Sequence, residues 1–434
     1  MCEIEYFTNY YFASSPVTWD LLIRLIGILQ IIHHVSWLLQ IPALVGEEGL
    51  HPLSVLLDRS KTKREKNNIK QSWKERLAHI TPLDFLFFFG YTDARLKLLC
   101  TTGAISGFLL FLSPNWFWPL MYYLLITTIS IVHIGGPFIL QTEPYFAEIS
   151  LLTCWFAPLI YLFDFPSIKY YYSNDIAEYG SCLGLWMVRW LIIRMMFSAG
   201  LVKWFGSHHW KDGTAMDHHY FTQPLVNPFS YYAHISPHIL HKISVWATFF
   251  IELIVPFFGF LPLHFVLYFV MINFIGLMFM INISGNYGYL GITTSIISLS
   301  MFYDDMLPQF LSEFHHFLHH LFPQPSQWIS YPLYNVFVGD SLLLNLLLTI
   351  FKLTIAIPLL VGGAVIILLG LRCVLTCWKQ NPPMSVPKFI DTLARTIEQF
   401  CVVNRYVFTL SLAGKIQIRK REQLLDGLIC ILRY

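Results

Sequence analysis

Long runs of apolar residues dominate the hydrophobic pattern of this chain. A membrane-spanning helix needs about 20 mostly apolar residues, and nine runs approach or exceed that length. They cover residues 19–41, 96–113, 115–134, 145–163, 183–204, 243–261, 263–283, 287–303 and 346–375. The pattern predicts an all-α, multi-pass membrane protein, a helical bundle of about eight to nine transmembrane helices with polar loops between them.

Three polar segments interrupt these runs. Residues 58–79 hold eight Lys and Arg against three Asp and Glu, and such short basic loops belong in the cytosol. Residues 205–242 and 304–341 are the other two segments, whereas the apolar stretch 82–89 is too short to span and is predicted to be interfacial or re-entrant. We therefore predict a transmembrane domain over residues 1–377, with its core at 183–305, and a short soluble tail over 378–434.

Composition excludes several other classes of protein. The chain is 56% hydrophobic and 12% charged, whereas a soluble domain carries about 25% charged residues. A net charge of +2 gives no basic face for nucleic acid. The eight cysteines form no CxxC pair, so that neither a zinc knuckle nor a disulfide framework is predicted.

Two arginines lie inside the apolar run 183–204. Charged side chains at membrane depth are costly and usually face protein or water. Arg189 and Arg194 are five residues apart, about 140° around a helix, so they should meet different partners. They either contact an anionic substrate or pair with buried acids, and we favour pairing. The candidate acids are Glu143, Glu148 and Glu252.

Lys203 ends the same run and has two possible roles. A lysine at the end of a membrane helix can extend its ammonium group to the interface. It can also act as a desolvated base. Its position favours the interfacial role.

Histidines are frequent in the second and third polar segments. The spacing of those near residues 205–242 follows no zinc-site pattern, so we predict a folded polar loop there. The third segment contains His315, His316, His319 and His320. Histidines at positions i and i+4 lie on one helix face, so each of the two such pairs could bind a metal ion, but we favour an interfacial amphipathic turn. We therefore predict no metal and no cofactor. Asp304 and Asp305 end an apolar run, where the helix dipole disfavours negative charge, and this predicts a partner elsewhere.

The segment from Met187 to Lys203 resembles the signature of the lipase maturation factors, and the resemblance covers roughly residues 15–421. It departs from the family pattern at Phe221, where an acid is usual, and at Val226, where proline is usual. The matching positions that we take as the functional motif are Arg189, Trp190, Arg194, Lys203, Trp210, Asp212, Asp217, His219, Tyr220, Thr222, Gln223, Pro224, His234 and Asn286.

The resemblance implies a multi-pass protein of the endoplasmic reticulum membrane that assists the folding, assembly and maturation of secreted lipases. Its implied partners are client lipases and the lipid bilayer, and it implies a chaperone-like role without a catalysed reaction. Family members continue into a longer soluble domain, so the resemblance also implies that residues 378–434 are the remnant of a larger C-terminal domain in a shortened member.

Two alternative functions remain open. Residues Ala199 to Lys203, followed by Trp210, are similar to the lysine segment of the vitamin K-dependent γ-carboxylases. That likeness implies a membrane enzyme with Lys203 as the base. The buried arginines are also compatible with a transporter or lipid-handling protein, which requires a polar path or a lipid-sized cleft through the bundle.

Overall fold

The computed structural model describes residues 15–53, 92–135, 138–139, 142–161, 175–223, 227–261 and 263–321. Within these ranges the chain forms helices and turns, with no strand. The helices are α1 (Pro16–Val45), α2 (Asp93–Leu112), α3 (Leu120–Gly135), α4 (Thr142–Tyr161), α5 (Asp175–Gly206), α6 (Ala215–Thr222), α7 (Pro228–His234), α8 (His238–Phe258), α9 (His264–Ser284), α10 (Leu290–Ile297) and α11 (Gln309–Leu321). Short helical turns occur at Pro114–Phe117, His208–Lys211, Ser298–Met301 and Asp304–Met306.

The long apolar helices confirm an all-α membrane protein. Five of them are long and apolar enough to cross a membrane: α1, α2, the Gly180–Gly206 part of α5, α8 and α9. The predicted spans 115–134 and 287–303 form the shorter apolar helices Leu120–Gly135 and Leu290–Met301, and 145–163 forms the 20-residue helix α4. The predicted span 346–375, the segments 58–79 and 82–89 and the tail 378–434 lie outside the described residues.

Helix α1 packs closely against α2 in the bundle. The two helices meet at Gly27 and Gly107, and a Cβ added to Gly27 would lie 2.7 Å from the carbonyl oxygen of Gly107. A Cβ added to Gly107 would lie 2.8 Å from the carbonyl oxygen of Gly27. Small residues let membrane helices approach to backbone contact, so this crossing depends on both glycines.

Asp304 holds the N-terminus of α1. Its carboxylate accepts hydrogen bonds from the backbone N–H groups of Val17 and Thr18, at 3.1 and 2.8 Å, and from the Thr18 hydroxyl at 2.7 Å. The first N–H groups of a helix have no partner within the helix and carry partial positive charge. Asp304 therefore has the distant partner that its position in the sequence predicted.

Helix α8 widens into a π-helical turn at Phe250–Ile254. A proline inside a helix lacks an N–H, and its ring clashes with the carbonyl four residues earlier. For Pro256 that carbonyl belongs to Glu252, which lies in the widened turn. The Glu252 side chain, only 2% exposed, is thereby placed against α5, where it meets Lys203.

Helix α11 and the start of α1 share a buried polar cluster. His315 is buried on α11, with its Nε2 3.2 Å from a carboxylate oxygen of Asp20, and the same oxygen accepts from Arg24 Nε at 2.6 Å. The aromatic side chains of Phe310 and Phe317 on α11 are exposed. The helix thus has the amphipathic character predicted for this histidine-rich stretch.

Candidate functional site

Both arginines of α5 are held by protein groups inside the bundle. Arg194 donates to the Glu148 carboxylate of α4, and both side chains are buried. This is the pairing with a buried acid that the sequence predicted. Arg189 was predicted to have an acid as well, and within the described residues that prediction is wrong.

Arg189 is held by neutral groups instead. Its Nε and Nη2 donate to the carbonyl oxygen of Ser300 at 2.9 and 2.7 Å, and its Nη1 donates to the Tyr303 hydroxyl at 3.2 Å. The guanidinium carbon lies 4.4 Å from the ring centroid of Trp186. A carbonyl oxygen and an aromatic face can stabilise a guanidinium without a carboxylate. Arg189 therefore ties α5 to the turn that follows α10.

Lys203 forms an ion pair with Glu252, and its side chain is partly exposed. Its Nζ donates to both carboxylate oxygens of Glu252, at 2.6 and 2.7 Å. The centroid of the Trp210 ring lies 5.5 Å from Nζ and 5.9 Å from the centroid of the Phe249 ring. The pair joins the end of α5 to the widened turn of α8.

Residues 207–223 and 227–237 form a folded unit between α5 and α8, which we call the cap. Its local sequence explains its turns. Ser207 accepts from the N–H of His209, and Gly213 takes a positive φ of 73° that favours glycine. Asn227 and Ser230 form a reciprocal capping box at the start of α7, and Pro228 occupies the first turn.

The cap covers the C-terminal end of α9. The Asn227 amide nitrogen donates to the carbonyl oxygens of Asn282, Ile283 and Gly285, at 3.3, 2.8 and 3.1 Å. Gln223 Nε2 and the Ser230 hydroxyl both donate to the carbonyl of Ser284, at 2.9 and 2.7 Å. The last carbonyls of a helix have no partner within it, so the cap supplies these partners from a distant part of the chain.

A second contact joins the cap to the turn after α9. His219 Nε2 and the Tyr287 hydroxyl are 2.9 Å apart. Burial, followed by the positive charge of Lys203, lowers the pKa of His219, which favours its neutral ring. In the same turn, Asn286 Oδ1 accepts from the N–H of Gly288 at 3.2 Å.

Asp217 joins the cap to α8. One of its carboxylate oxygens lies 2.8 Å from His238 Nδ1 and 2.7 Å from His241 Nδ1. Burial acts to raise the pKa of Asp217, but the hydrogen bonds from His241 and His238 outweigh it and lower that pKa overall. Tyr220 packs beside this group, with its ring centroid 5.6 Å from that of His241.

The other residues of the predicted motif have local roles. Trp190 packs near the Phe260 ring at 6.0 Å. Thr222 donates to the carbonyl of His218 within α6, and Asp212 and His234 lie on the exposed side of the cap. Pro224, with Val226, lies outside the described residues.

Asn227 and Ser230 were not among the predicted motif residues, yet they donate most of the hydrogen bonds from the cap to the end of α9. An asparagine directly before a proline is a recognisable helix start. That signal predicts the capping of α7. It does not predict that the Asn227 amide reaches α9, because this contact joins residues about 55 positions apart.

Replacing Asn227 with Asp is expected to loosen the cap. The variant keeps an acceptor for the N–H of Ser230 but loses the amide donor to the α9 carbonyls. We expect a loss of about 1–2 kcal/mol, which corresponds to a roughly 5- to 30-fold rise in local opening. The readout is the rate of trypsin cleavage after the exposed Lys211 in detergent-solubilised protein.

Gln309→Glu is the matched control for that experiment. Gln309 is exposed on α11, outside the cap, and its amide donates within that helix to the carboxylate of Glu313. Its replacement should leave cleavage after Lys211 unchanged. Equal cleavage rates in the Asn227 variant and the unmodified protein would contradict the proposed role of the amide.

Residues 17–309 match a family model described as the lipase maturation factor transmembrane domain. The chain belongs to the lipase maturation factor family. The matched range contains the described bundle from α1 to α10, except for Pro16, and the whole cap. The family resemblance that the sequence predicted is thereby confirmed.

Individual lipase maturation factors match the same region. Human lipase maturation factor 1 is 30% identical over 295 residues, which cover 67% of this chain and 49% of that protein. Mouse lipase maturation factor 1 is 31% identical over 307 residues, 68% of this chain and 51% of that protein. Lipase maturation factor 2 of Xenopus laevis is 31% identical over 289 residues, 64% of this chain and 37% of that protein.

The chain thus spans about half the length, or less, of these relatives. No solved structure matches it.

Proposed function

We propose that the chain is a factor of the endoplasmic reticulum membrane that assists the folding and assembly of secreted lipases. The observation that carries the proposal is the match of residues 17–309 to the lipase maturation factor transmembrane domain. In this proposal the protein acts by contact with its client and catalyses no reaction of its own. We infer that the cap faces the lumen. With residues 58–79 in the cytosol, this requires that one of the four apolar runs between them and the cap does not cross the bilayer, which gives a bundle of eight transmembrane helices.

Helix α7 of the cap provides the proposed client surface. It exposes the aromatic side chains of Phe229, Tyr231 and Tyr232, and Ile235 follows directly after it. Aromatic side chains are enriched where proteins contact one another. The capping box and the bonds to α9 hold this helix in place, so its aromatic face is organised before a client binds.

The test is complementation in cells that lack their own lipase maturation factors. Residues 1–434 should raise the activity of a secreted lipase without changing the amount of lipase that is synthesised. Tyr231→Ser/Tyr232→Ser should abolish that gain, whereas Phe310→Ser, at an exposed aromatic position of α11 outside the cap, should keep it. No gain in lipase activity from correctly inserted, folded protein would overturn the proposal.

The alternative of an enzyme with Lys203 as base receives no support from the arrangement around that side chain. Both oxygens of Glu252 accept from Nζ, so the amino group is engaged by a carboxylate. The transporter alternative started from the buried arginines, and these are bound by Glu148 and by Ser300. We therefore retain the maturation factor as the single proposed function.

A further inference from the structure

The group of Asp217, His238 and His241 has the composition and spacing of a metal site. Among the described residues, three side chains that can each bind a metal come within 4.8 Å of one another only in this group. Their ligand atoms are two imidazole nitrogens and one carboxylate oxygen. Two histidines and a carboxylate, with further positions open, are a ligand set for divalent transition metals such as Zn²⁺ and Fe²⁺.

The hydrogen bond from His241 to Ala233 determines which nitrogen of the His241 ring carries the proton. Its Nε2 lies 2.9 Å from the carbonyl oxygen of Ala233, and a carbonyl can only accept, so Nε2 carries the proton. In a neutral ring, Nδ1 then presents a lone pair to the Asp217 oxygen, only 2.7 Å away. The contact with Asp217 is therefore a hydrogen bond only when Nδ1 carries a second proton. Without that proton the two lone pairs repel, unless a cation lies between them.

The same contact with Ala233 is what a metal-binding histidine usually makes. A ligating histidine commonly donates its other N–H to a backbone carbonyl, which fixes the tautomer and the direction of the ring. His241 is 6% exposed and firmly placed, whereas His238 is 54% exposed. The site therefore has a rigid inner ligand and an outer ligand that is open to solvent.

The distances between the ligand atoms show how the group would rearrange to hold an ion. Ligand atoms around a tetrahedral zinc ion lie about 3.3 Å apart, given bonds of about 2.0 Å. The two nitrogens lie 2.7 and 2.8 Å from the Asp217 oxygen, and all three ligand atoms lie within 4.8 Å of one another. To form a coordination sphere, each nitrogen would move away from the oxygen by roughly half an ångström, and the two nitrogens would settle about 3.3 Å apart.

We propose that Asp217, His238 and His241 bind a divalent transition-metal ion that joins the cap to α8. Asp217 lies on α6, and the two histidines occupy positions i and i+3 at the start of α8. The ion has at least one open position for water or a ligand. No metal was expected here from the sequence, because the histidine spacings match no zinc pattern. The structure adds Asp217 as a third ligand from a separate helix.

Zinc binding to the purified full chain in detergent tests this proposal, after metal has been removed with a chelator. We expect the unmodified protein to bind one Zn²⁺ per chain. In His238→Ala we expect the affinity for Zn²⁺ to be weaker by at least about 10- to 100-fold. Because His238 is exposed and the Asp217–His241 contact remains, this variant should fold. Zn²⁺ should also raise the unfolding midpoint of the unmodified protein and not that of the variant.

His218→Ala is the matched control, since His218 is an exposed histidine next to Asp217 in sequence. It should bind Zn²⁺ as the unmodified protein does. Co²⁺ in place of Zn²⁺ should give a visible absorption band that disappears in Asp217→Asn and His238→Ala. Equal zinc affinity of the unmodified protein and His238→Ala, or no zinc binding at all, would overturn the proposal. These outcomes are independent of whether the chain matures lipases.

Discussion

Replacing Glu148 with Leu is expected to destabilise the bundle by about 3–5 kcal/mol, because the Arg194 guanidinium then remains buried without a counter-ion. The pair joins α4 to α5 in the apolar interior. Water has little access there to solvate a charge left alone. The change in the free energy of unfolding is measured by denaturant titration of the detergent-solubilised protein, with Glu313→Leu at an exposed position of α11 as control.

A double variant separates the cost of the unpaired charge from the value of the pair. Glu148→Leu/Arg194→Leu removes both charges and should recover most of the lost stability, since apolar replacement of a buried ion pair is often neutral or stabilising. Recovery would show that the pair specifies how α4 and α5 meet more than it stabilises them. If the single variant Glu148→Leu is as stable as the unmodified protein, the expected loss of stability from an unpaired Arg194 is refuted.

The helical bundle was largely predictable because membrane helices leave a strong signal in the sequence. Five predicted spans are present at full length, and α1 and α9 differ from their predicted bounds by only a few residues. The hydropathy pattern predicts helix bounds less well where the α-helix is interrupted inside an apolar run. Pro119 delays the start of α3 to Leu120, and α10 passes into a 3₁₀ turn at Ser298–Met301. Hydropathy alone does not register either break.

The site was predictable to a smaller degree because its contacts join distant parts of the chain. The expectation that a buried charge needs a partner is correct for Arg194, which pairs with Glu148, one of the three candidate acids. It failed for Arg189, since a backbone carbonyl satisfies a guanidinium and leaves no trace in the sequence. It also missed that Glu252, offered as a partner for the arginines, belongs to Lys203. Pro256 provides the only local clue, because it produces the turn that positions Glu252.

Lys203→Met is expected to have the second large effect, a loss of about 3 kcal/mol, because it leaves the buried Glu252 without its cation. Contacts with Trp210 should loosen as well, since this ring lies against the lysine ammonium group. The free energy of unfolding and lipase maturation are measured on the same variants. Lys211→Met, at an exposed lysine near Trp204, is the matched control and should change both only slightly.

Lys203→Met/Glu252→Met distinguishes a structural lysine from a catalytic one. If Lys203 only neutralises Glu252, removing both charges should restore the stability and, with it, the maturation of secreted lipase. If Lys203 were a base, the double variant would be stable and inactive. Lys203→Arg sharpens the distinction, because arginine keeps a cation beside Glu252 but does not give up its proton. We expect both variants to support lipase maturation, since Nζ is engaged by two carboxylate oxygens.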